Sequence, residues 1–361
     1  MDDMRVLPTY SNVTDPFEAY AGRMSEVCDQ FQQRFASTSF ESPVNGHPIV
    51  VYHDNTPEAE SYLSSLMHLR CENLGDNRTG TIVWVDRGSV NEHIPFPPFK
   101  EHQYTGYGQR GFTQKKDWKF LHAPTVGLEM GYHPPTKRGF VITNGMDHLS
   151  IYDRATPFQS VIHWMLEPSG WHMAHAAVVG ANGKGAMLVG SSGSGKSTTA
   201  LSCLVHPEMD YLCDDKCMLS LDPDPQAFAI FNAVKLNHDV KDWFPFFNDI
   251  IVGKDEIAKK GKNLAFLYPK YRDNMVKSLP IQTILIPRMG SATSYGISPA
   301  RAADAFRVFG PSTSIWVPLS GPSNFRFLRE FTEKLPCYFL DLHPEIAINA
   351  QIIKRHLEEM K

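Results

Sequence analysis

The most informative part of this chain runs from Ala186 to Ser197 and reads AMLVGSSGSGKS. Its last eight residues match G-x-x-x-x-G-K-S, the pattern of a loop that wraps around phosphate groups. The apolar run at 186–189 predicts a buried strand before this loop, and residues 198–204 predict a helix after it. The motif therefore lies in the strand–loop–helix context that phosphate binding requires.

Each residue type in this loop has a physical reason. The glycines let successive backbone N–H groups turn toward phosphate oxygens, and the following helix adds the positive end of its dipole. Lys196 reaches the outer phosphates, and the hydroxyl of Ser197 is a Mg²⁺ ligand. We therefore expect ATP and Mg²⁺ as cofactors. The predicted nucleotide contacts are Gly190, Ser191, Ser192, Gly193, Ser194, Gly195, Lys196, Ser197 and Thr198.

Composition excludes several classes of protein. Of the 361 residues, 42% are hydrophobic and 20% are charged, which indicates a packed globular chain of two or three domains. The formal net charge of −4 provides no electrostatic footprint for nucleic acid or an anionic membrane. The six cysteines form no C-x-x-C pair, and no apolar segment approaches the length of a membrane span. We expect a cytoplasmic protein.

Predicted strands alternate with predicted helices over the second half of the chain. This alternation favours an α/β fold with a mixed sheet, in which a hairpin through residues 175–189 leads into the loop. We assign residues 151–361 to this P-loop kinase domain and residues 1–150 to a divergent α+β N-terminal domain. In the N-terminal domain, residues 87–116 are predicted as an irregular loop or linker, and residues 148–152 as a short strand.

Two adjacent acids, Asp214 and Asp215, follow the predicted strand 211–213. Phosphoryl transfer needs a carboxylate to hold Mg²⁺ and a base to orient the attacking oxygen. Neighbouring side chains on a strand point to opposite faces, so both acids reach one site only if the strand ends or bends there. The alternative is a solvated acidic turn. Beside the phosphate loop, the catalytic interpretation is favoured.

Residues 175–221 resemble the bacterial HPr serine kinase/phosphorylase family and related kinases that phosphorylate the C-terminal serine of lasso-peptide precursors. The resemblance is carried by HAAVV at 175–179, the hairpin turn to Gly185, VGSSGSGKS at 189–197 and YLCDD at 211–215. It is strong over about fifty residues and weaker over the remainder of the second half. It implies an HPr-kinase-like core for this part of the chain.

The resemblance also implies residue roles. His175 should lie near the transferring phosphate, and Lys196 with the loop amides should hold the β- and γ-phosphates. Ser197 and Asp214 should serve Mg²⁺, while Asp215 should accept the proton of the substrate hydroxyl. Arg288, after the predicted strand 281–286, is either the cation that stabilises the migrating phosphoryl group or a surface arginine.

The chain departs from the regulatory enzymes at several positions. Thr198 stands where they usually carry an acid, and FNAVKL at 231–236 occupies the region of their glycine-rich signature. These departures argue against phosphorylase activity and against HPr as the substrate. Lys235 either faces the site or is an ordinary surface lysine, and the surface interpretation is favoured. Residues 253–263 are either a mobile lid or, as we favour, an exposed loop.

The function that these features predict is an ATP- and Mg²⁺-dependent kinase that phosphorylates a serine-type hydroxyl on a peptide or small protein. Two alternatives stay open. One is an ATP-binding regulatory switch or ATPase without a phosphoacceptor, and the other is a small-molecule kinase acting on free serine or a sugar. The expected partners are a nucleotide and a peptide or small-protein acceptor, without nucleic acid or membrane, and the resemblance implies a homo-oligomer.

Overall fold

A computed structural model describes residues 15–72, 77–105, 110–237, 243–254, 261–289 and 295–360. The chain forms two compact units. The first comprises the chain up to Leu63, Arg70–Ser150 and Phe158–Met165, and the second comprises Ser64–Leu69, Ile151–Pro157 and the chain from Leu166. Near residue 150 the chain passes between the two units after Ser150, after Pro157 and after Met165. The domain boundary predicted after residue 150 stays a prediction.

The first unit contains a nine-stranded sheet, in the spatial order β3-β1-β2-β4-β9-β8-β7-β6-β5. The β2–β4 and β4–β9 pairs are parallel and the others antiparallel. Its elements are α1 (Pro16–Arg34), β1 (Ala36–Phe40), β2 (Ile49–His53), α2 (Pro57–Leu63), β3 (Arg70–Cys71), β4 (Gly80–Asp86), β5 (Tyr104–Thr105), β6 (Arg110–Lys115), β7 (Trp118–Ala123), β8 (Leu128–His133) and β9 (Arg138–Thr143).

Helix α1 forms the core of this unit with the sheet. Asp15 caps the helix because its Oδ1 accepts a hydrogen bond from the Phe17 amide, and proline follows it at the first helical position. Apolar residues recur every three or four positions and bury one face, as at Tyr20, Met24 and Phe31. They pack on sheet residues that include Val83 and Phe140.

The sequence missed part of this sheet. Residues 87–116 were predicted to be irregular, but they include β6 at Arg110–Lys115, which pairs with β7. The strand β6 reads RGFTQK, so it lacks the apolar run that marks a buried strand. Residues 148–152 were predicted as a strand, but the helix α3 (Ile151–Ala155) begins within them. Helix α4 (Gln159–Leu166) follows where a helix was predicted.

The second unit contains a nine-stranded mixed sheet and a separate three-stranded sheet, β16-β18-β17. The predicted α/β class with a mixed sheet is confirmed. The elements after α4 are β10 (His172–His175), β11 (Ala177–Ala181), β12 (Lys184–Leu188), α5 (Lys196–Leu204), β13 (Asp210–Cys213), β14 (Lys216–Ser220), β15 (Gln226–Ala229), β16 (Ala233–Asn237), β17 (Ile251–Lys254), β18 (Lys262–Phe266), β19 (Ser278–Met289), β20 (Gly296–Ala300), α6 (Ala302–Ser314), α7 (Gly321–Glu333), β21 (Cys337–Leu342) and α8 (Ile346–Glu359).

The strand that leads into the phosphate loop lies inside this sheet. The predicted hairpin is present: β11 and β12 pair antiparallel across the turn Asn182-Gly183, where both residues have positive φ angles of 53° and 73°. Strand β12 also pairs in parallel with β19. Side chains alternate between two cores, with Leu188 facing α5 and α8 and Met187 facing α6 and α7.

One predicted helix began too early. Residues 299–306 were predicted as helical, but Pro299 and Ala300 end β20, and α6 starts at Ala302. Strand β20 pairs antiparallel with β21, which gives Pro299 a place on the sheet that a local reading of the sequence does not indicate. Among the described residues, no helix combines the length and the apolar character needed to cross a membrane.

Two glycine substitutions in the first unit should change stability in opposite directions. Gly131 lies directly opposite Phe140 in the β8–β9 pair, and a Cβ atom there would overlap the Phe140 ring. Gly131→Ala should therefore lower the free energy of unfolding by about 1–3 kcal/mol. Gly22→Ala, in the middle of α1 with open space around it, should raise it by about 0.5–1 kcal/mol. Urea unfolding of both variants measures these changes. A lower free energy of unfolding for Gly22→Ala than for the parent would contradict the prediction.

Candidate active site

The phosphate loop has the backbone that its glycines allow. Gly193 and Gly195 have φ angles of 82° and 96°, in the left-handed region that favours glycine. A Cβ atom on Gly195 would lie 2.5 Å from Cδ1 of Leu342, so a larger residue there would displace the Leu342 side chain. The Thr199 amide donates to the Gly195 carbonyl at 2.9 Å, which closes the first turn of α5. The loop therefore leads directly into the N-terminus of α5, where backbone N–H groups can bind an anion.

Lys196 lies buried against this loop. Its Nζ donates to the carbonyl oxygens of Gly190, at 2.7 Å, and Ser191, at 3.1 Å. Burial lowers the pKa of Lys196, while the Asp215 and Asp214 carboxylates act in the opposite direction. The lysine is therefore held in place by its own loop, next to both acids.

Asp214 and Asp215 lie where a strand ends, as the catalytic interpretation requires. Strand β13 stops at Cys213 and β14 begins at Lys216, so the two acids occupy the intervening bend. Asp214 is only 3% exposed. Burial, followed by the charge of Asp215, raises the pKa of Asp214 to about 6, and a hydrogen bond from the Ser197 side chain acts against this shift.

Asp215 has partners that keep it ionised. Its Oδ2 lies 2.6 Å from Nζ of Lys235 and 3.9 Å from Nζ of Lys216. Its Oδ1 lies 3.1 Å from Nε2 of His175. Burial acts to raise the pKa of Asp215, but Lys235, Lys216 and His175 together hold it well below its usual range. The two adjacent acids therefore have opposite pKa shifts.

The sheet register explains why His175 reaches Asp215. His175 ends β10 opposite Lys216 of β14, directly beside the acidic bend. The His175 amide donates to the hydroxyl of Thr313 at 3.1 Å, which ties this strand end to α6. The Nδ1 atom of His175 is buried, and no side chain or backbone group of the described residues is in hydrogen-bond contact with it. It is a buried polar atom that the described residues leave without a partner.

A pocket of about 370 Å³ joins the loop to the acids. This volume lies in the range of sites for small molecules and cofactors. It is lined by His175, Ser192, Gly193, Gly195, Lys196, Ser197, Thr198, Thr199, Leu201, Asp214, Asp215, Lys235, Leu236, Asn237, Trp243, Lys262, Met289, Tyr295, Leu342, His343, Pro344, Ile346 and Asn349. The structure therefore brings together most of the predicted site residues, but Gly190, Ser191 and Ser194 do not line the pocket.

Arg288 lies apart from this group. It does not line the pocket; its guanidinium forms a two-point ion pair with Asp341, at 2.6 and 2.9 Å, and lies over the Phe339 ring. Nearly half of its side chain is exposed. The catalytic role of Arg288 stays a prediction.

Lys235 is the residue that the sequence interpretation undervalued. It was favoured as a surface lysine, but only 10% of its side chain is exposed, and it contacts Asp215. Although burial acts to lower it, Asp215 and Asp214 hold the pKa of Lys235 above its usual value. The local sequence carried no signal for it, because its apolar neighbours Val234 and Leu236 point to the opposite face of the strand. Lys262 of the neighbouring strand lines the same pocket.

The residues proposed for Mg²⁺ offer suitable ligand atoms. Ser197 and Asp214 line the same pocket, and hydroxyl and carboxylate oxygens are the ligands that Mg²⁺ prefers. Within the described ranges there is no group of three or more His, Cys, Asp or Glu side chains arranged to hold a metal. A Mg²⁺ ion bound through one or two protein oxygens takes its other ligands from phosphates and water. Of the lid or loop predicted at 253–263, residues 255–260 lie outside the described residues.

Comparisons with known proteins give little. No family model matches the chain, and no curated protein matches it. Among solved structures, the HPr(Ser) kinase/phosphatase from Coxiella burnetii is similar at 10% identity, over 52% of this chain and 98% of that chain, with a TM-score of 0.31. A TM-score of this size assigns neither fold nor function, so both rest on the residues of this chain.

The raised pKa of Asp214 should make the ligand-free protein less stable as pH rises. An acid whose pKa is about 6 when folded and near 3.8 when unfolded binds more protons in the folded state. Stability therefore falls between about pH 4 and pH 6 and stays reduced above. Asp214→Asn should raise the free energy of unfolding at pH 7 by an amount on the order of 2 kcal/mol, a gain that disappears near pH 4.

Urea unfolding across this pH range, without nucleotide or magnesium, measures the effect. Asp224→Asn, which changes an exposed acid outside the pocket, is the matched control and should leave the pH profile unchanged. Parallel profiles for the parent and Asp214→Asn would show that this carboxylate is not destabilised by its surroundings.

Proposed function

We propose that this chain is an ATP- and Mg²⁺-dependent phosphotransferase that phosphorylates a serine-type hydroxyl on a peptide or small protein. One observation carries the proposal: an ionised carboxylate, Asp215, lies in the same pocket as a complete phosphate loop. A phosphate loop alone is shared with switches and ATPases. A carboxylate fixed beside it by a lysine and a histidine is what a kinase needs to orient an acceptor hydroxyl.

The phosphate loop would bind the nucleotide tail. The amides of residues 193–197 and the ammonium group of Lys196 would surround the β- and γ-phosphates. Ser197 and Asp214 would hold Mg²⁺, which would neutralise phosphate charge when bound. This division assigns the metal to the acid whose pKa the Ser197 hydroxyl lowers, and leaves Asp215, which Lys235 and His175 hold ionised, for the acceptor.

The transfer step is an in-line substitution at the γ-phosphorus. The acceptor hydroxyl donates a hydrogen bond to Asp215, and its oxygen forms a bond to phosphorus as the bond to the bridging oxygen of ADP breaks. ADP leaves with that electron pair, and the acceptor proton passes to Asp215. The low pKa of Asp215 makes it a weak base, so its main effect is to orient the hydroxyl until bond formation makes the proton acidic. Lys235, 2.6 Å from Asp215, lies where it can stabilise the transferring oxygens.

Removal of the Asp215 carboxylate should abolish transfer but not nucleotide binding. Asp215→Asn should lower the rate of transfer by about 10²–10⁴-fold, the range for loss of a positioned acid–base group. The assay is incubation with γ-labelled ATP and peptides encoded near the gene of this protein, with the label located by mass spectrometry. Lys196→Ala should lose both binding and transfer, and Asp224→Asn should match the parent.

Two outcomes would favour the rival functions. If the parent labels no peptide but changes its affinity for another protein when nucleotide binds, it is a switch. If the label appears on free serine or a sugar instead, it is a small-molecule kinase. Transfer by Asp215→Asn at the parent rate would refute the mechanism itself.

The Ser197 hydroxyl should set the requirement for magnesium. Ser197→Ala removes one oxygen ligand, so half-maximal transfer should need about tenfold more Mg²⁺, the lower end of the range for a weakened metal site. Ser197→Thr keeps the hydroxyl and should stay close to the parent. A Mg²⁺ titration of the transfer rate compares the three proteins. Identical curves for the alanine and threonine variants would exclude Ser197 as a ligand.

A further inference from the structure

The pocket extends beyond the residues that phosphoryl transfer uses. Its lining includes the acids and lysines already described. It also includes aromatic and apolar side chains to which the transfer mechanism assigns no role. These residues are Met289, Tyr295, Leu342, His343, Pro344 and Ile346. Tyr295 is 39% exposed and Met289 81% exposed, an unusual amount of open apolar surface beside a polar site.

These apolar residues adjoin the phosphate loop at Gly195, the residue that precedes α5. Leu342 lies so close to Gly195 that a Cβ atom there would be 2.5 Å from it. Helix α8 begins at Ile346 and shares a core with α5, through residues such as Leu201 and Ile353. This part of the chain is therefore tied to the loop at Leu342 and to α5 through the shared core.

The turn is held rigid by Asn349. The Asn349 Oδ1 accepts from the His343 amide at 2.8 Å, and its Nδ2 donates to the His343 carbonyl at 3.0 Å. The Glu345 amide donates to Nδ1 of His343 at 3.0 Å, so the neutral ring carries its proton on Nε2. The ring of Tyr295 packs edge-on against His343, with centroids 4.7 Å apart. Two aromatic rings thus have fixed positions at the pocket wall.

Strand pairing also fixes Tyr295. It directly precedes β20, whose first residue, Gly296, pairs with Asp341 of β21. Tyr295 therefore enters the pocket wall beside Leu342 and His343, although the two segments are far apart in sequence. The wall is built by a sheet and by the turn that leads into α8, which is the kind of support that a binding surface needs.

We propose that Tyr295 and His343 form the nucleobase site, which binds the ring of a purine nucleoside triphosphate. The inference rests on the proposed function, since it takes the triphosphate of that nucleotide to lie on residues 190–197. The base stacks on the aromatic wall, and His343 Nε2–H donates to a ring or ribose acceptor. Asn349 is a positioning residue that acts through His343.

Trp243 is the rival aromatic residue, since it also lines the pocket and is 54% exposed. It lies shortly after β16, the strand that carries Lys235, and the described residues of β16 and β18 place Asn237 opposite Lys262. Lys235 contacts Asp215, so this wall borders the transfer end of the pocket. A nucleotide whose γ-phosphate lies near Asp215 directs its base away from that wall. Trp243 is therefore the matched control.

The test compares two probes, ATP and inorganic tripolyphosphate, on the full chain by calorimetry with Mg²⁺. The parent should bind ATP more tightly than tripolyphosphate. Tyr295→Ala should weaken ATP binding about tenfold, through loss of base–aromatic stacking, and leave tripolyphosphate binding unchanged. Tyr295→Phe should match the parent. Asn349→Ala should show the same selective loss as Tyr295→Ala, and Trp243→Ala should show none.

The outcomes separate this inference from the proposed function. Equal affinity of the parent for ATP and tripolyphosphate would overturn the proposed nucleobase site but not phosphate binding by the loop. Binding of neither probe would overturn both. A selective loss of ATP affinity in Trp243→Ala, but not in Tyr295→Ala, would place the base on Trp243 and overturn the proposed nucleobase site. Circular dichroism of Tyr295→Ala, a half-exposed position, checks that the variant is folded.

Discussion

The site depends on the ion pair between Asp215 and Lys235, with His175 as the second partner of the carboxylate. Taking a carboxylate and an ammonium group out of water is costly, and only close, hydrogen-bonded pairing offsets that cost. At 2.6 Å the pair is in such contact. The three residues come from separate segments, since His175 ends β10, Asp215 lies in the bend between β13 and β14, and Lys235 lies in β16. The charges that would carry the chemistry therefore also hold strand ends in place, so the site and the local fold are not independent.

The nine-stranded sheet brings the phosphate loop and the two acids together through backbone pairing. Strands β12 and β19 are parallel, and the ladder continues to the loop because the Val189 amide donates to the Leu285 carbonyl at 2.9 Å. Strand β11 lies between β12 and β13, with Val178 opposite Cys213. A single strand therefore separates β12 from the acidic bend that follows Cys213. Loop and acids meet at one edge of the sheet, where α/β folds generally bind ligands.

Local signals in the sequence were sufficient for the loop, its flanking strand and helix, and the hairpin turn at Asn182-Gly183. They were insufficient wherever long-range pairing decides the outcome. A lysine between apolar neighbours, as at Lys235, has the same local pattern whether its face of the strand meets solvent or a buried acid, and only the sheet arrangement distinguishes them. The polar strand Arg110–Lys115 forms because β7 pairs with it, which its own six residues do not indicate. The nearness of Tyr295 to His343 likewise follows from the β20–β21 register.

Two adjacent, identical acids acquire different chemistry from their surroundings. Asp214 is buried beside a neighbouring negative charge, so its pKa rises despite the Ser197 hydroxyl, and a cation would relieve its desolvation. Asp215 is surrounded by amines, so it stays ionised and keeps its lone pairs for a hydrogen bond. Enzymes that need two carboxylates in different states commonly separate their pKa values in this way. Three lysines, Lys196, Lys235 and Lys262, line the pocket with these two acids, which leaves the described lining net positive. That excess favours binding of a polyanion, and in the proposed reaction the split between the acids would separate the metal end from the acceptor end.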